Sequence, residues 1–331
     1  MRATKLYSTG DIRTVNVDVP SPAENEILIK VEAAGICGTD RHLYHGEFPS
    51  VPDKILGHEF SGIVVDSGKT DIAEGARVTC DPNTWCGACS QCQRGRVNLC
   101  VNNLATGIHR DGGFAEFCVF PASKAVVLPN EINPLYGAFC EPLACTLHGM
   151  DMGAVSEGET VLVIGGGVIG LMAVQLAKLS GAEVMLLTRS PEKQSLGLNI
   201  GADYAVGTES GVRNIWPDGA DLVVECAGVS ATVTMSHKLA RSGGRVVILG
   251  VISQGEKVPI EPFDMLFREI QMYFSFLNPF THERAAKMIA DGTINVSPLV
   301  SRVISLEEAA LAIASPPPKG EVRAIVVPSQ D

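Results

Sequence analysis

The chain has 331 residues, 46% of them hydrophobic, with 34 glycines and a formal charge of -11. That length suits two domains, each with its own core, and the composition excludes a fibrous or disordered chain. The acidic balance, with no clustered Lys and Arg, argues against nucleic acid and anionic membrane surfaces as partners and favours a small-molecule substrate.

The N-terminal stretch MRATKLYSTGDIRTVNV has no long apolar segment behind its basic residues, so it reads as neither a signal nor a transit peptide, and a cytoplasmic protein is expected. From the start to about Gly149, short alternating segments such as Ile27 to Ala33 and Gly62 to Asp66 lie between Gly, Pro and Asp, which predicts an irregular, mostly-β domain. Two groups of metal-ligand residue types fall within it. One is dispersed: Cys37 and Asp40 in Gly35-Ile-Cys-Gly-Thr-Asp-Arg-His42, then His58-Glu59, then Glu141. One thiolate, one imidazole and one or two carboxylates meet the needs of a catalytic zinc with an exchangeable position, although a lone Cys or His is more often a core residue. Cys140, beside Glu141, is the alternative donor if the register shifts by one. The other group is compact: Cys86, Cys89, Cys92 and Cys100 place four thiols within fifteen residues. That spacing suits a closed tetrahedral zinc site, whose role is structural because it leaves no open position. Disulfides are disfavoured without an export signal.

From Thr160 the texture changes to near-continuous apolar strands at Thr160 to Gly165, Glu183 to Thr188, Asp221 to Glu225, Arg245 to Gly250 and Gln271 to Phe276. Helical stretches alternate with them, the pattern of a parallel sheet covered on both faces. The first strand runs into Gly165-Gly-Gly167-Val168-Ile169-Gly170 and then an apolar helix from Leu171 to Leu179. Gly165 allows the tight turn, Gly167 lets backbone N–H groups near Val168 and Ile169 approach a pyrophosphate, and Gly170 lets helix and strand pack closely. The run Val161 to Val174 is shorter than the roughly 20 residues needed to cross a bilayer. After the second strand, where an NAD enzyme carries an acidic residue, the sequence reads Thr188-Arg189-Ser190. Two hydroxyls and a guanidinium suit a 2′-phosphate, so NADP(H) is expected as the preferred cofactor, with NAD(H) as the alternative. Beyond Phe280, helices at Glu283 to Ala290 and Leu306 to Ile313 precede a last strand, Val322 to Val327; this tail either closes the sheet or returns to the first domain.

Taken in order, Gly35-Ile-Cys-Gly-Thr-Asp40, Gly57-His-Glu-Phe-Ser-Gly62, the four-cysteine lobe, Asp111-Gly-Gly-Phe-Ala-Glu116, Glu141-Pro-Leu-Ala144 and the glycine loop cover most of the chain. The combination resembles the zinc-containing medium-chain dehydrogenases, in the branch of sorbitol, other polyol and threonine dehydrogenases. The resemblance implies an α/β protein with a GroES-like, β-rich catalytic domain (1–147 and 281–331) and a doubly wound Rossmann domain (148–280). It implies a hydride exchanged between a small secondary alcohol and the nicotinamide. It also implies catalytic zinc on Cys37, His58 and Glu59, Glu141 holding zinc directly or through water, and a proton relay from Thr39 through the cofactor ribose to His42. An arginine that sorbitol-type enzymes carry near Phe276-Leu-Asn-Pro279 is missing here. The competing readings are a zinc-free quinone or enone reductase and, remotely, a nucleic-acid-binding zinc module. A homodimer or homotetramer is expected.

Overall fold

In the computed structural model, which describes residues 1–49 and 51–329, the chain divides into two compact units. One comprises Met1–Ala144 and the tail that begins at Pro279; the other is Cys145–Asn278. The divisions fall at 144/145 and 278/279, a few residues before the expected 147/148 and 280/281.

The first unit is organised by a seven-stranded sheet. Its long strand Glu26–Gly35 buries Ile27, Ile29, Val31 and Ala33 and leaves the residues between them partly exposed from Glu26 to Glu32, the period of two of a sheet with one core-facing side. It pairs antiparallel with Glu59–Asp66, with Phe117–Pro121 and with Arg323–Val327. The register against Glu59–Asp66 shifts twice, and Gly62 lies where a Cβ would come within 2.1 Å of the Lys30 carbonyl, so only glycine permits that approach. Buried Phe114 and the edge-to-face pair Phe60 and Phe120, with ring centroids 5.6 Å apart, fill the core beneath. The last strand, Arg323–Val327, also pairs in parallel with Val300–Ser305, which puts the tail in the first unit rather than on the parallel sheet. Helices at Gly38–His45 and Cys140–Gly153 interrupt the mostly-β stretch; buried Leu143, Ala144, Leu147 and Met150 give the second too little polar contrast to show as amphipathic in the sequence.

The second unit is a six-stranded parallel sheet in the spatial order Tyr204–Val206, Glu183–Leu187, Thr160–Ile164, Ala220–Glu225, Ala240–Ile248, Gln271–Phe274. Its central strands bury Leu162, Val163, Val223, Val224, Val246 and Val247 completely, as a sheet covered on both faces requires. The strand Tyr204–Val206 is absent from the sequence expectations because three partly buried residues carry no periodicity. The direction of winding reverses between Thr160–Ile164 and Ala220–Glu225, and a ligand crevice is expected beyond the carboxyl ends of those two strands. Among the described residues no helix is long and apolar enough to cross a membrane.

Candidate functional site

Cys37, His58 and Glu59 reach one point from two elements. Cys37 is the N-cap of the helix Gly38–His45: its sulfur accepts from Thr39 N at 3.5 Å, and its own N–H donates to Asp40 Oδ2 at 2.8 Å. This reciprocal cap holds the thiol outside the helix. Gly57 precedes His58 with φ +93°, and its carbonyl accepts from Gly113 N at 2.7 Å. A Cβ on Gly107 or Gly112 would come within 2.5 Å or 2.3 Å of the Gly57 carbonyl group, and one on Gly107 within 2.8 Å of His58 N, so glycine at both positions lets the chain pack against the backbone that carries His58. Glu59 opens the next strand opposite Gly35, where a Cβ would lie 2.6 Å from Glu59 Oε2. Glycine at position 35 leaves the carboxylate its space.

The donor atoms of Cys37, His58 and Glu59 all lie within 4.8 Å of one another. Ligands around a tetrahedral zinc are separated by about 3.3–3.8 Å, so a small inward movement completes the set. Three buried polar atoms there, Asp40 Oδ1, His58 Nδ1 and Glu59 Oε2, have no hydrogen-bond partner among the described residues. Asp40 Oδ1 stands 3.6 Å from His58 Nδ1, beyond hydrogen-bond range yet placed to orient the ring and leave Nε2 for a metal. Burial alone raises the Cys37 thiol, but the His58 imidazole and the Arg323 guanidinium outweigh it and bring it down to about 7. Burial depresses His58, but Cys37 and Asp40 together hold it well above the usual histidine range. One sulfur, one ring nitrogen and one carboxylate oxygen this close together are the donor types a zinc ion takes, with the thiol and the imidazole each having given up its proton.

Arg323 was not singled out in the sequence. It is 6% exposed, and its guanidinium sits 2.9 Å from Glu59 Oε2, donates to Glu59 Oε1 at 3.2 Å and bonds the Ile36 carbonyl. Burial raises the Glu59 carboxyl well above its usual range in spite of this partner. Glu141 lies in the first turn of Cys140–Gly153, buried, and is not a member of the three-residue group. Cys140, beside it, is buried and is likewise not a member of the group; burial pushes its thiol up to about 12, and its hydrogen-bond partner is Thr79. Thr39 and His42 lie on the helix that Cys37 caps, and His42 Nδ1 is 2.7 Å from Glu47 Oε2.

The sulfurs of Cys86, Cys89, Cys92 and Cys100 also lie within 4.8 Å of one another, and all four cysteines are free of disulfides. Backbone N–H groups of Cys86 and Asn102 point at the Cys100 sulfur, each at 3.4 Å. Those of Cys92 and Val101 bring the Cys89 thiol down to about 6. Such N–H···S contacts favour thiolates, the form a zinc ion takes.

In the second unit Gly165 has φ +111° and Gly167 caps the helix Val168–Leu179 with no side-chain partner, leaving its first N–H groups open toward an anion. A Cβ on Gly170 would stand 1.9 Å from the Gly165 carbonyl, which is the close helix-to-strand approach expected of it. Arg189 is exposed. Ser190 caps the helix Pro191–Asn199, accepting from Lys193 N at 3.4 Å and donating to Glu192 at 2.5 Å, so its hydroxyl already has partners. Lys193, which the sequence reading passed over, sits with its Cβ beside Gly166 of the loop. Leu277, in the region of the missing arginine, has φ +58°, a strained conformation for a branched side chain.

Residues 23–130 match the family model for the alcohol dehydrogenase GroES-like domain, and residues 168–291 match that for a zinc-binding dehydrogenase. D-arabinitol dehydrogenase 1 of Uromyces fabae is 34% identical over 92% of this chain and 91% of its own. The chain belongs to the zinc-type medium-chain dehydrogenase family. A second relative of this dehydrogenase, sorbitol dehydrogenase of Halalkalibacterium halodurans, is 31% identical over 91% of both chains. A solved structure from Sinorhizobium meliloti 1021, assigned as a zinc-binding dehydrogenase and bound to NADP, is 53% identical, covers 99% of each chain and superposes with a TM-score of 0.96. The dehydrogenase is accordingly an NAD(P)-dependent oxidoreductase acting on CH–OH donors.

Proposed function

We propose that this dehydrogenase oxidises a small polyhydroxylated secondary alcohol, or reduces the matching ketone, with NADP(H) as preferred cofactor. The observation that carries the reading is the convergence of the donor atoms of Cys37, His58 and Glu59, the latter two buried, within 4.8 Å of one another. When bound, zinc on these residues supplies a Lewis acid for the substrate hydroxyl, and the dinucleotide supplies the hydride acceptor. Asp40 orients His58, and Arg323 balances the charge on Glu59. Glu141 would serve the exchangeable position of a bound zinc, directly or through water. Thr39 would receive the hydroxyl proton, and His42 would hold it on its way out. The side chains of His42 and Glu47 are 26% and 43% exposed, so this pair releases the proton to solvent. A carboxylate in the ligand set and the two polyol-named relatives support a polyol substrate. Cys86, Cys89, Cys92 and Cys100 would hold a second, structural zinc that pins their lobe.

A spectrophotometric screen of sugar alcohols, inositols and amino alcohols with both cofactors tests the reading. Turnover is expected with a polyol and NADP⁺; turnover confined to quinones or enones, undiminished by chelation, contradicts it. Arg189→Ala is expected to weaken NADPH about tenfold, the loss of one charge-assisted contact, and to leave NADH within about twofold. An equal effect on both, measured by fluorescence titration, removes the 2′-phosphate argument.

We also infer that the protein assembles as a homodimer or a dimer of dimers in the cytoplasm, where free thiols such as these ten persist. Gln271–Phe274 ends the strand order of its sheet, and Phe274 is 67% exposed. Helix Pro262–Phe267 adds exposed Phe263, Leu266 and Phe267. An unpaired apolar edge of this kind is covered by a second copy. Light scattering should show a dimer or tetramer for the wild type and a smaller species for Phe274→Lys; a monomeric wild type overturns the inference.

A further inference from the structure

Glu225 is a completely buried carboxylate at the carboxyl end of the strand Ala220–Glu225, beside the point where the winding of the sheet reverses. Its register partners are Ile164, immediately before Gly165, and Ile248 on the other side. One side-chain oxygen, Oε1, accepts from Ala227 N at 2.8 Å, Gly228 N at 3.0 Å and Thr232 Oγ1 at 2.7 Å. The backbone carbonyl of the same residue accepts from Leu249 N at 2.8 Å and Gly250 N at 3.0 Å. The other carboxylate oxygen, Oε2, is buried with no hydrogen-bond partner among the described residues. It lies 2.5 Å from the place a Cβ would take on Gly250, a place only 2.2 Å from Gly228 N. A Cβ on Gly165 would in turn stand 2.9 Å from Ala227 N. Three loop segments, at Gly165, at Ala227–Gly228 and at Leu249–Gly250, therefore meet around one residue, and glycines at their contact points let them close to backbone distance.

A buried carboxylate costs several kcal/mol of desolvation, and here burial does raise the Glu225 carboxyl above its usual range. An apolar side chain would fill the space without that cost, so the position asks for what the carboxylate alone does, which is to lock the turn that follows the strand. In a doubly wound sheet the half before the reversal binds the adenosine end of a dinucleotide, and the half after it binds the other end. The turns that Glu225 locks follow the first two strands of that second half.

We propose that Glu225 is a positioning residue for the nicotinamide half of the cofactor: through Oε1 and its own carbonyl it sets the Ala227–Gly228 and Leu249–Gly250 backbones that receive the nicotinamide riboside. The inference rests on the dinucleotide reading of the glycine loop. Its consequence is a selective loss, because a probe that ends at the adenosine phosphates does not use those turns.

The test compares NADPH with adenosine 2′,5′-bisphosphate, which lacks the nicotinamide half, by isothermal titration of the intact protein. Glu225→Gln keeps the shape but replaces charge-assisted bonds with neutral ones and buries an unpaired NH₂; it is expected to weaken NADPH about tenfold or more while the bisphosphate stays within about twofold. Thr232→Val removes one of the three donors and is expected to give the same selectivity at about threefold, which keeps the proposal testable if Glu225→Gln does not fold. Equal weakening of both ligands, or unchanged NADPH binding, overturns the proposal. A wild type that binds neither ligand overturns the dinucleotide reading itself, and this proposal with it.

Discussion

Cys37→Ala should reduce turnover by at least about 10³-fold, the several kcal/mol that a Lewis acid supplies to a developing alkoxide, while NADPH binding stays within about twofold. The thiolate is the one soft donor among the three convergent ligands, and the buried His58 and Glu59 left behind hold a metal poorly. The dinucleotide residues belong to the other unit, from Gly165 to Ser190, so a titration with NADPH separates loss of the metal from loss of the fold. His58→Ala should behave in the same way. Turnover retained in either variant removes the assignment, and loss of both turnover and cofactor binding identifies a folding defect instead.

Arg323→Met should be the most destabilising single change in the first unit. Arg323 and Glu59 are 6% and 1% exposed, and removing one partner of a buried ion pair leaves an uncompensated charge at a cost of about 3–5 kcal/mol. The sign of a second effect follows from the same geometry. Zinc on Glu59 neutralises the orphaned carboxylate, so the loss should be largest in chelator-treated protein and smaller when zinc is present. Denaturant unfolding with and without chelator measures both. A change below about 1 kcal/mol in the metal-free protein would show that the pair is not the partner on which Glu59 depends.

How much of this is legible in the sequence depends on how local each device is. The four cysteines span fifteen positions and the glycine loop six, so their spacing alone states what they do. Cys37 is separated from His58 and Glu59 by the helix Gly38–His45 and the stretch that follows it, and only the family resemblance joins them before the structure does. The partner of Glu59 is hidden altogether: Arg323 lies 264 positions away, on a strand whose return to the first unit follows from pairing, not periodicity. Glu225 is equally silent, because a carboxylate at a strand end reads as a surface residue until its three donors are seen. Asp40 lies between these cases: the sequence places it three residues after Cys37, and only the structure shows the capping box through which it aims the ligand. Glu141 and Cys140 sit side by side in the first turn of one helix, where adjacent residues face different neighbours, and spacing in the sequence does not choose between them.

Metal content by mass spectrometry of the protein under native conditions tests the central claim most directly. Two zinc ions per chain are expected, falling to one in His58→Ala with the four-cysteine site still filled. A single zinc in both proteins would mean that Cys37, His58 and Glu59 hold no metal, and would leave the alcohol without its activating group.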